Sequence, residues 1–343
     1  MPSQVPPFPL ADLRLSPTGI GSTHHRDPEA AASVVLEAYP DLPFWPQLPR
    51  RAPTEAMAPQ AGLALPGARW DGRKLSSSGL DSEISLRAPL PPEDRAAGLY
   101  ALLARLEALP PNQRPRHAKG QLIGPFTLGA LIQSSADANP LEPRRLAILA
   151  RFLGEQGASQ ARAFNQLGIR AIIVFDEPLL ANLGDDSLPL TSDDASTVLR
   201  AAFAPVARDS GLPGLHSCAP IDWSCVLNAR PAIIHFDATP TAIDHLLSHR
   251  ETIRSHLACG GALGWGVWPT DDASPPYNAT TARAALVDAA DAIAQSPGQI
   301  ADILRCSTLT GVCGTAGFSA TREKRLAADL AVFSSELRER YDL

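Results

Sequence analysis

From about residue 120 the chain alternates short apolar segments with longer amphipathic ones, and this alternation restricts the possible folds more than any other feature. Six segments have the continuous apolar character of buried strands, namely 120–128, 170–178, 214–218, 231–238, 261–269 and 307–314. Four longer segments keep apolar residues at helical spacing, namely 143–168, 195–211, 281–295 and 322–343. Apolar strands separated by helices predict a parallel sheet with both faces covered.

Two further strands are expected upstream, in 16–22 (SPTGIGS) and around 67–72 (GARWDG), which brings the total to eight. The most economical architecture is a single α/β domain over residues 1–343, a (β/α)8 TIM barrel with residues 1–15 as a proline-rich N-terminal extension. A doubly wound open sheet is the alternative, but no glycine-rich phosphate-binding motif follows an early strand.

The composition excludes several classes of function. Thirty basic and 36 acidic residues give a net charge of -6, and no run of Lys and Arg could follow a phosphate backbone, so no nucleic-acid partner is expected. The first twenty residues lack the pattern of an export signal, and no segment reaches the length of a membrane span. The prediction is therefore a cytoplasmic protein without a membrane association. The five cysteines are widely spaced and odd in number, which favours free thiols or metal ligands over disulfides.

The ends of the predicted strands carry an unusual number of metal-binding residue types. His216 and Cys218 are two residues apart, so on a strand both side chains point the same way. Taken alone, such a pair is more typical of a protein core than of a metal site. Cys313 ends a distant strand in the glycine-rich turn GVCGTAG, and barrel closure would bring it near the pair. Two thiolates and an imidazole suit zinc, and they shift the interpretation towards a Zn²⁺ site.

Five short motifs occur in the order and spacing of a known family. TGIGS, GPFTL, FDEP, HSC and GVCG, with a PFWPQLP stretch near the N-terminus, resemble the catalytic barrel of cobalamin-independent methionine synthase and its short single-barrel relatives. That family is related in fold to uroporphyrinogen decarboxylase. The resemblance covers most of the chain and implies a (β/α)8 barrel that binds zinc.

The resemblance also implies a set of zinc ligands. The histidine and cysteine of the family's H-x-C pair are His216 and Cys218 here, and the late cysteine is Cys313. A glutamate on the next strand completes the family's site, and it falls on Asp237, which is a departure. Aspartate binds zinc through a carboxylate oxygen but is one methylene shorter. His235, two residues earlier and on the same side of the strand, is the alternative fourth ligand.

The substrate pocket of the family maps onto two segments of this chain. The I-G-S turn corresponds to Ile20, Gly21 and Ser22, and the aspartate of D-E-P corresponds to Asp176, which would hold a substrate ammonium group. Without the resemblance, Asp176 would be interpreted as a helix cap and the glutamate after it as a first-turn charge. A second amine-binding glutamate of the family falls near Gln60 and has no counterpart, so the amino-acid end of the substrate departs from the family.

The activity implied by the resemblance is methyl transfer to a small, homocysteine-like thiol. The folate-binding second barrel of full-length methionine synthases does not fit in 343 residues, and the short relatives are associated with methyl-corrinoid donors. We therefore expect methylcobalamin or a corrinoid protein as donor. Trp265 and Trp268 could form a wall for the donor, although aromatic residues at strand ends are more often packing. His24 and His25 follow the I-G-S turn and could reach the pocket, although histidines on solvated loops are common.

Three alternatives to this activity stay open. Alkyl transfer to a different thiol, such as a coenzyme thiol, would keep the zinc and change the organic pocket. Decarboxylation of a porphyrinogen would match the related fold but would leave the H-x-C pair and Cys313 unexplained. A barrel that binds a metal or a corrinoid without turnover would retain all of the same ligands.

Overall fold

A computed structural model describes residues 10, 12–78, 88–133, 141–240, 242–271 and 276–343. Most of the expected N-terminal extension, residues 1–9 and 11, lies outside the described residues. Ten strands form in the described part of the chain: β1 Ser16–Pro17, β2 Arg69–Trp70, β3 Leu75–Ser76, β4 His117–Ile123, β5 Ile132–Gln133, β6 Arg170–Asp176, β7 Leu212–Ser217, β8 Ile233–Asp237, β9 Ala262–Trp268 and β10 Ser307–Gly311.

The helices fill most of the sequence between the strands. They are α1 Pro28–Ala38, α2 Met57–Gly62, α3 Ala97–Ala108, α4 Pro125–Leu131, α5 Pro143–Gln166, α6 Ser192–Arg208, α7 Trp223–Ala229, α8 Ile243–Ser248, α9 Arg250–Ala258, α10 Ala279–Ile293, α11 Gln299–Arg305 and α12 Ala320–Tyr341. Several begin at a polar cap, as α12 does at Ser319, whose hydroxyl accepts a hydrogen bond from the N–H of Arg322. None of the described helices is both long enough and apolar enough to cross a membrane.

Seven of the strands form one curled parallel sheet in the order β1-β10-β9-β8-β7-β6-β4. The space between β4 and β1 is closed by the extended segment 43–47. Phe44 forms a bridge with Lys119 of β4, and Gln47 forms a bridge with Ser22 just after β1. The predicted α/β barrel is thereby confirmed, with segment 43–47 in the eighth position.

The sequence-based prediction for the eighth strand was wrong. The segment 67–72 contains β2, which pairs with β3 in a separate three-stranded sheet that is completed by β5. The true eighth position is occupied by PFWPQ, whose prolines Pro43 and Pro46 have no N–H to donate. Its pairing with the neighbouring strands is therefore reduced to single bridges, and its composition does not indicate a strand.

One predicted strand also proved to be two elements. The segment 120–128 contains the end of β4 and most of α4, which begins at Pro125 directly after Gly124. Proline is favoured in the first turn of a helix, where its missing N–H has no intrahelical partner to lose. The apolar run GQLIGPFTL concealed this boundary because both halves are buried.

Inside the barrel, the side chains differ in polarity between the two ends of the strands. Apolar side chains fill the end where the strands begin, and they form a separate core cluster that also includes residues before β1 and before segment 43–47. Its members are Leu10, Leu13, Leu42, Ile172, Val174, Leu212, Ala232, Ile233 and Ala262. Asp176, His216 and His235 lie further along the same strands and are polar, and buried polar side chains also occur on the neighbouring strands β4 and β10, namely Lys119, Gln121, Thr308 and Thr310. The opposite faces of the strands pack against the helices in the main core.

Candidate functional site

Three of the predicted zinc ligands lie together at the C-terminal end of the barrel strands. His216 is the last residue but one of β7, and Cys218 is the first residue after this strand. Cys313 lies two residues beyond the end of β10. One ligand atom of each side chain lies within 4.8 Å of a ligand atom of the other two. The two strands are separated in the sheet by β8 and β9, so only the curvature of the barrel brings these residues together.

The chemistry of these three side chains fits a bound metal ion. His216 is only 3% exposed, and among the described residues its ring has no polar partner at hydrogen-bond geometry apart from its interaction with the thiol of Cys313. A buried polar atom without a partner is costly, so an imidazole in this environment is suited to coordinate a metal ion through a ring nitrogen. A hydrogen bond with Cys313 lowers the pKa of Cys218 to about 7, whereas burial opposes this change. The same hydrogen bond, together with burial, raises the pKa of Cys313.

The fourth predicted ligand is not part of this group in the structure. Oδ1 of Asp237 accepts hydrogen bonds from the N–H and the hydroxyl of Thr239, at 2.8 and 2.7 Å. His235 is fully buried beside Gly264, where an added Cβ would lie 2.3 Å from its ring. Burial, followed by the charges of Lys119 and His216, lowers the pKa of His235 well below its usual value. Asp237 therefore stays a prediction, and His235 stays its alternative.

Asp176 lies beside His216 in the register of the sheet and is 6% exposed. Its Oδ1 has no hydrogen-bond partner among the described residues. Burial raises the pKa of Asp176, although the nearby His216 and Lys119 counteract this effect. A buried carboxylate oxygen without a donor fits the predicted role of holding an ammonium group.

The predicted I-G-S turn lies against the loop that carries Cys313. Ile20, Ser22 and Cys313 line one small cavity of about 10 Å³. A Cβ on Gly314 would lie 2.0 Å from the hydroxyl oxygen of Ser22, so glycine is needed for this approach. Gly21 has a φ of +154°, and a Cβ there would collide with Gln121 at 2.7 Å. The structure thus brings the predicted substrate turn and the predicted metal ligands to the same end of the barrel.

Gln60, at the position of the family's second amine-binding glutamate, is buried and fully engaged. Its Oε1 accepts a hydrogen bond from Gln47 at 2.7 Å, and its Nε2 donates to the carbonyl of Arg95 at 2.8 Å. The backbone of Gln47 in turn pairs with Gly21 and Thr23 of the substrate turn. The position is therefore next to the predicted pocket, but it carries a neutral amide where the family has a carboxylate.

Lys119 is a site residue that the sequence interpretation missed. Its ammonium group is completely buried inside the barrel and donates hydrogen bonds to the carbonyl of Ile20, at 2.5 Å, and to Oε1 of Gln121, at 3.2 Å. Burial lowers the pKa of Lys119 to about 8, whereas Asp176 counteracts this effect. The signal that could have revealed Lys119 is a lysine in the middle of an apolar strand, because lysine is rarely buried unless its charge is paired.

Glu177 of the FDEP motif joins this motif to the GPFTL motif through hydrogen bonds. Its carboxylate accepts hydrogen bonds from the N–H groups of Phe126 and Thr127, at 2.8 and 3.0 Å, and from the Thr127 hydroxyl, at 2.7 Å. Glu177 therefore caps α4, which has no capping side chain of its own. Any Cβ on Gly124 would lie 2.2 Å from this carboxylate. The first-turn role considered for Glu177 is thus wrong, because the carboxylate serves the preceding helix.

Trp265 and Trp268 are packing residues, as the alternative interpretation held. Trp265 is fully buried in the main core and donates a hydrogen bond to the hydroxyl of Ser307 at 3.0 Å. Trp268 is 5% exposed, donates to Asp329 at 3.0 Å and stacks on Tyr277. Neither indole offers a free face to a donor.

The fold and this group of residues define an α/β barrel with a thiol-and-imidazole site at the C-terminal ends of its strands. No protein-family model matches the sequence, and no curated protein matches it either.

Two solved structures are similar in fold over nearly the whole chain. A B12-independent methionine synthase from Shewanella sp. W3-18-1, in complex with selenomethionine, superposes with a TM-score of 0.64 at 13% identity, over 95% of this chain and 98% of that chain. A methyltransferase from Methanosarcina mazei superposes with a TM-score of 0.58 at 14% identity, over 96% and 99%. At these identities the likeness establishes a shared fold.

Proposed function

We propose that this protein is a zinc-dependent methyltransferase that methylates a small thiol. The observation that carries the proposal is the convergence of His216, Cys218 and Cys313 within 4.8 Å, next to the unpartnered carboxylate oxygen of Asp176. The similar fold of a methionine synthase and of a second methyltransferase supports the same class of reaction. His216, Cys218 and Cys313 would hold the Zn²⁺, and Asp237 would be the fourth ligand.

A bound Zn²⁺ supplies one chemical function, which is to hold the substrate sulfur as a thiolate at neutral pH. The chain provides the remaining requirements. His216 is buried, so its ring is held in place by the surrounding chain, whereas Cys218 and Cys313 face the open end of the barrel, from which a substrate could enter. The lowered pKa of Cys218, about 7, favours the deprotonated form in which this side chain binds a metal.

Asp176 would orient the substrate through its ammonium group. The free Oδ1 is available for this contact, and Lys119 supplies a fixed positive charge on the inner side of the same site. A selenomethionine molecule is bound in the methionine synthase of similar fold, which supports a substrate of the same size and charge. The backbone of Ile20, Gly21 and Ser22 would then line the other side of the substrate.

The donor is proposed to be a methyl-corrinoid, either methylcobalamin or a corrinoid protein. The substrate sulfur forms the new bond to the methyl carbon, and the carbon–cobalt bond breaks with its electron pair retained by the corrinoid. The thiol proton leaves to solvent before the transfer. This choice of donor rests on the resemblance to the short single-barrel relatives.

A thiol-methylation assay with the purified full chain tests the proposal. Methylcobalamin and methyl-tetrahydrofolate are offered in parallel to homocysteine, and the methylated thiol is quantified. We expect product from methylcobalamin only, in proportion to the zinc content of the preparation. Equal rates from the two donors would refute the corrinoid, and a preparation purified under reducing, chelator-free conditions that contains no zinc would refute the metal.

A second candidate, alkyl transfer to a thiol that is not an amino acid, is favoured by Gln60. The amide leaves Asp176 as the one carboxylate identified for an ammonium group, so recognition of an amino acid is weaker here than in the family. The same assay with a panel of small thiols distinguishes the candidates. A thiol without an amine that reacts faster than homocysteine would select the second one.

A further inference from the structure

A second cluster of metal-binding side chains lies outside the site described above. His24 and His25 follow the substrate turn, and Glu323 lies in the first turns of α12, almost 300 residues later in the chain. One ligand atom from each of these side chains lies within 4.8 Å of those of the other two. The cluster shares no residue with the group of His216, Cys218 and Cys313.

The geometry of the cluster centres on one carboxylate oxygen. Oε2 of Glu323 is in direct contact with Nδ1 of His24 and lies 3.8 Å from Nε2 of His25. The two imidazole rings are 4.1 Å apart and tilted by 38°. Four ligands at about 2.1 Å from a tetrahedral Zn²⁺ are about 3.4 Å from one another. The separation from His25 is close to that value, and His24 must move away from Glu323 to admit an ion.

The other oxygen of Glu323 is already oriented by its surroundings. Oε1 accepts a hydrogen bond from the hydroxyl of Thr315 at 2.5 Å. The N–H of Thr315 donates to the carbonyl of Ser22 at 2.8 Å. Partners of this kind fix the orientation of a carboxylate ligand in metal sites. Glu323 therefore presents a single oxygen to the two histidines.

The cluster is also accessible to small molecules. The side chains of His24, His25 and Glu323 are 17%, 19% and 12% exposed. They line a groove of about 480 Å³ between α1 and α12, together with apolar residues such as Val35 and Ala327. A three-ligand site open to solvent retains coordination positions for water or a small ligand, which is typical of catalytic rather than structural zinc sites.

We propose that His24, His25 and Glu323 form a second metal site, which takes a divalent transition ion such as Zn²⁺ through two imidazoles and one carboxylate. The site goes beyond the proposed function and does not depend on it. It would join the first turns of α12 to the loops that carry Ser22 and Cys313, since Thr315 connects Glu323 to Ser22 and lies two residues after Cys313. An ion at this site would thereby order both loops of the first one.

Cobalt titration of the metal-stripped, reduced full chain tests this proposal, because thiolate ligands give Co²⁺ a charge-transfer band that imidazole and carboxylate ligands do not. In the wild type we expect two Co²⁺ ions per chain, one of them with that band. The double variant Cys218→Ser, Cys313→Ser should lose the band and still bind one ion. Adding Glu323→Gln to it should weaken the remaining binding by at least about 10- to 100-fold, which is the cost of losing an outer-shell partner, because Glu323 is itself a proposed ligand.

His249→Ala is the matched control, because His245 and His249 also form a histidine pair, with rings 5.4 Å apart, but belong to no such metal-binding group among the described residues. It should leave both binding events unchanged. The proposal is overturned if the double cysteine variant binds no Co²⁺, or binds it equally well after Glu323→Gln. Either result leaves the thiolate band of the wild type intact, so it is distinguishable from a failure of the proposed function.

A measurement on the wild type keeps the test independent of variant folding. Hydrogen exchange of the first turns of α12 and of residues 22–25 is compared with and without Co²⁺, after the first site has been filled. We expect slower exchange in both segments once the second ion binds. Unchanged exchange in both segments would contradict the proposed site.

Discussion

The two ends of the barrel interior are built from the same strands but from opposite kinds of side chain. At the end where the strands begin, Ile172, Leu212 and Ile233 pack into a closed apolar cluster. At the end where they finish, Asp176 and His216 are buried with polar atoms that lack partners. The first end stabilises the fold by removing apolar surface from water. The second end destabilises it to some extent, because buried polar atoms without partners cost free energy, but these atoms are placed where they could bind a metal ion or a substrate.

This difference teaches where substitutions should affect stability and where they should affect binding. A core residue contributes through volume, so its removal leaves a cavity. An unpartnered polar residue contributes little to stability, so its removal should change the chemistry and leave the fold intact.

The largest expected effect is on activity, from Cys313→Ser. Loss of one thiolate removes a metal ligand, and methyl transfer should fall by roughly a thousandfold, since metal-assisted activation is worth several kcal/mol. Zinc content and the rate of thiol methylation are measured together. Cys259→Ser is the control, because Cys259 is exposed and belongs to no metal-binding group among the described residues. Equal activity of the two variants would show that Cys313 is not a metal ligand.

The next effect is on stability alone, from Ile233→Ala at the apolar end. Ile233 is fully buried and fits against the bare backbone of Gly214, where a Cβ would lie 2.7 Å from it. Its truncation should lower the free energy of unfolding by about 2–5 kcal/mol, and Ile233→Val by about 0.5–1.5 kcal/mol. Denaturant unfolding measures both. Metal affinity should stay the same, and its loss would show that the two ends are not independent.

A smaller loss is expected from Glu177→Ala, directly after the C-terminal end of β6. The substitution leaves the N–H groups of Phe126 and Thr127 buried without their acceptor, at a cost of about 1–3 kcal/mol in the free energy of unfolding. Glu177→Gln keeps one acceptor oxygen and should cost less. Denaturant unfolding of the pair checks this, and an equal loss in both variants would mean that the cap needs the full carboxylate.

The buried Lys119 inside the barrel should also make stability depend on pH. Its pKa is about 8 in the folded chain and 10.5 when exposed, so between these values the unfolded chain binds a proton that the folded chain does not. Stability should therefore rise with pH in this window, by at most about 1.4 kcal/mol per pH unit. Unfolding of Lys119→Met should lack this slope. A slope that is unchanged in the variant would assign it to other groups.

The smallest effect is on specificity, from Gln60→Glu. A carboxylate restored beside the substrate turn should lower the KM for homocysteine by about tenfold relative to a thiol without an amine. Steady-state kinetics with the two thiols measure the ratio. Gln156→Glu is the control for a buried charge close by, since Gln156 is 1% exposed and donates to the carbonyl of Ala61, next to Gln60, and it should alter the ratio less.

Much of the candidate site could be predicted because its residues follow local rules. His216 and Cys218 share a face since side chains alternate along a strand, and Asp176 ends a strand whose apolar run is readable by eye. The barrel was predictable from the alternation of strands and helices. Segment 43–47 was not, because two prolines prevent a regular ladder there and only closure of the sheet makes it part of the barrel.

The sequence by itself determined the strand and helix order, the barrel class and the types of residue at the strand ends. Only the tertiary structure decided that Glu177 caps α4, that Lys119 is buried beside Asp176, and that Glu323 meets His24. The physical reason is that these contacts join segments far apart in the chain. Their formation depends on the curvature of the closed sheet and on the exclusion of water from its interior, and neither is encoded in any local pattern.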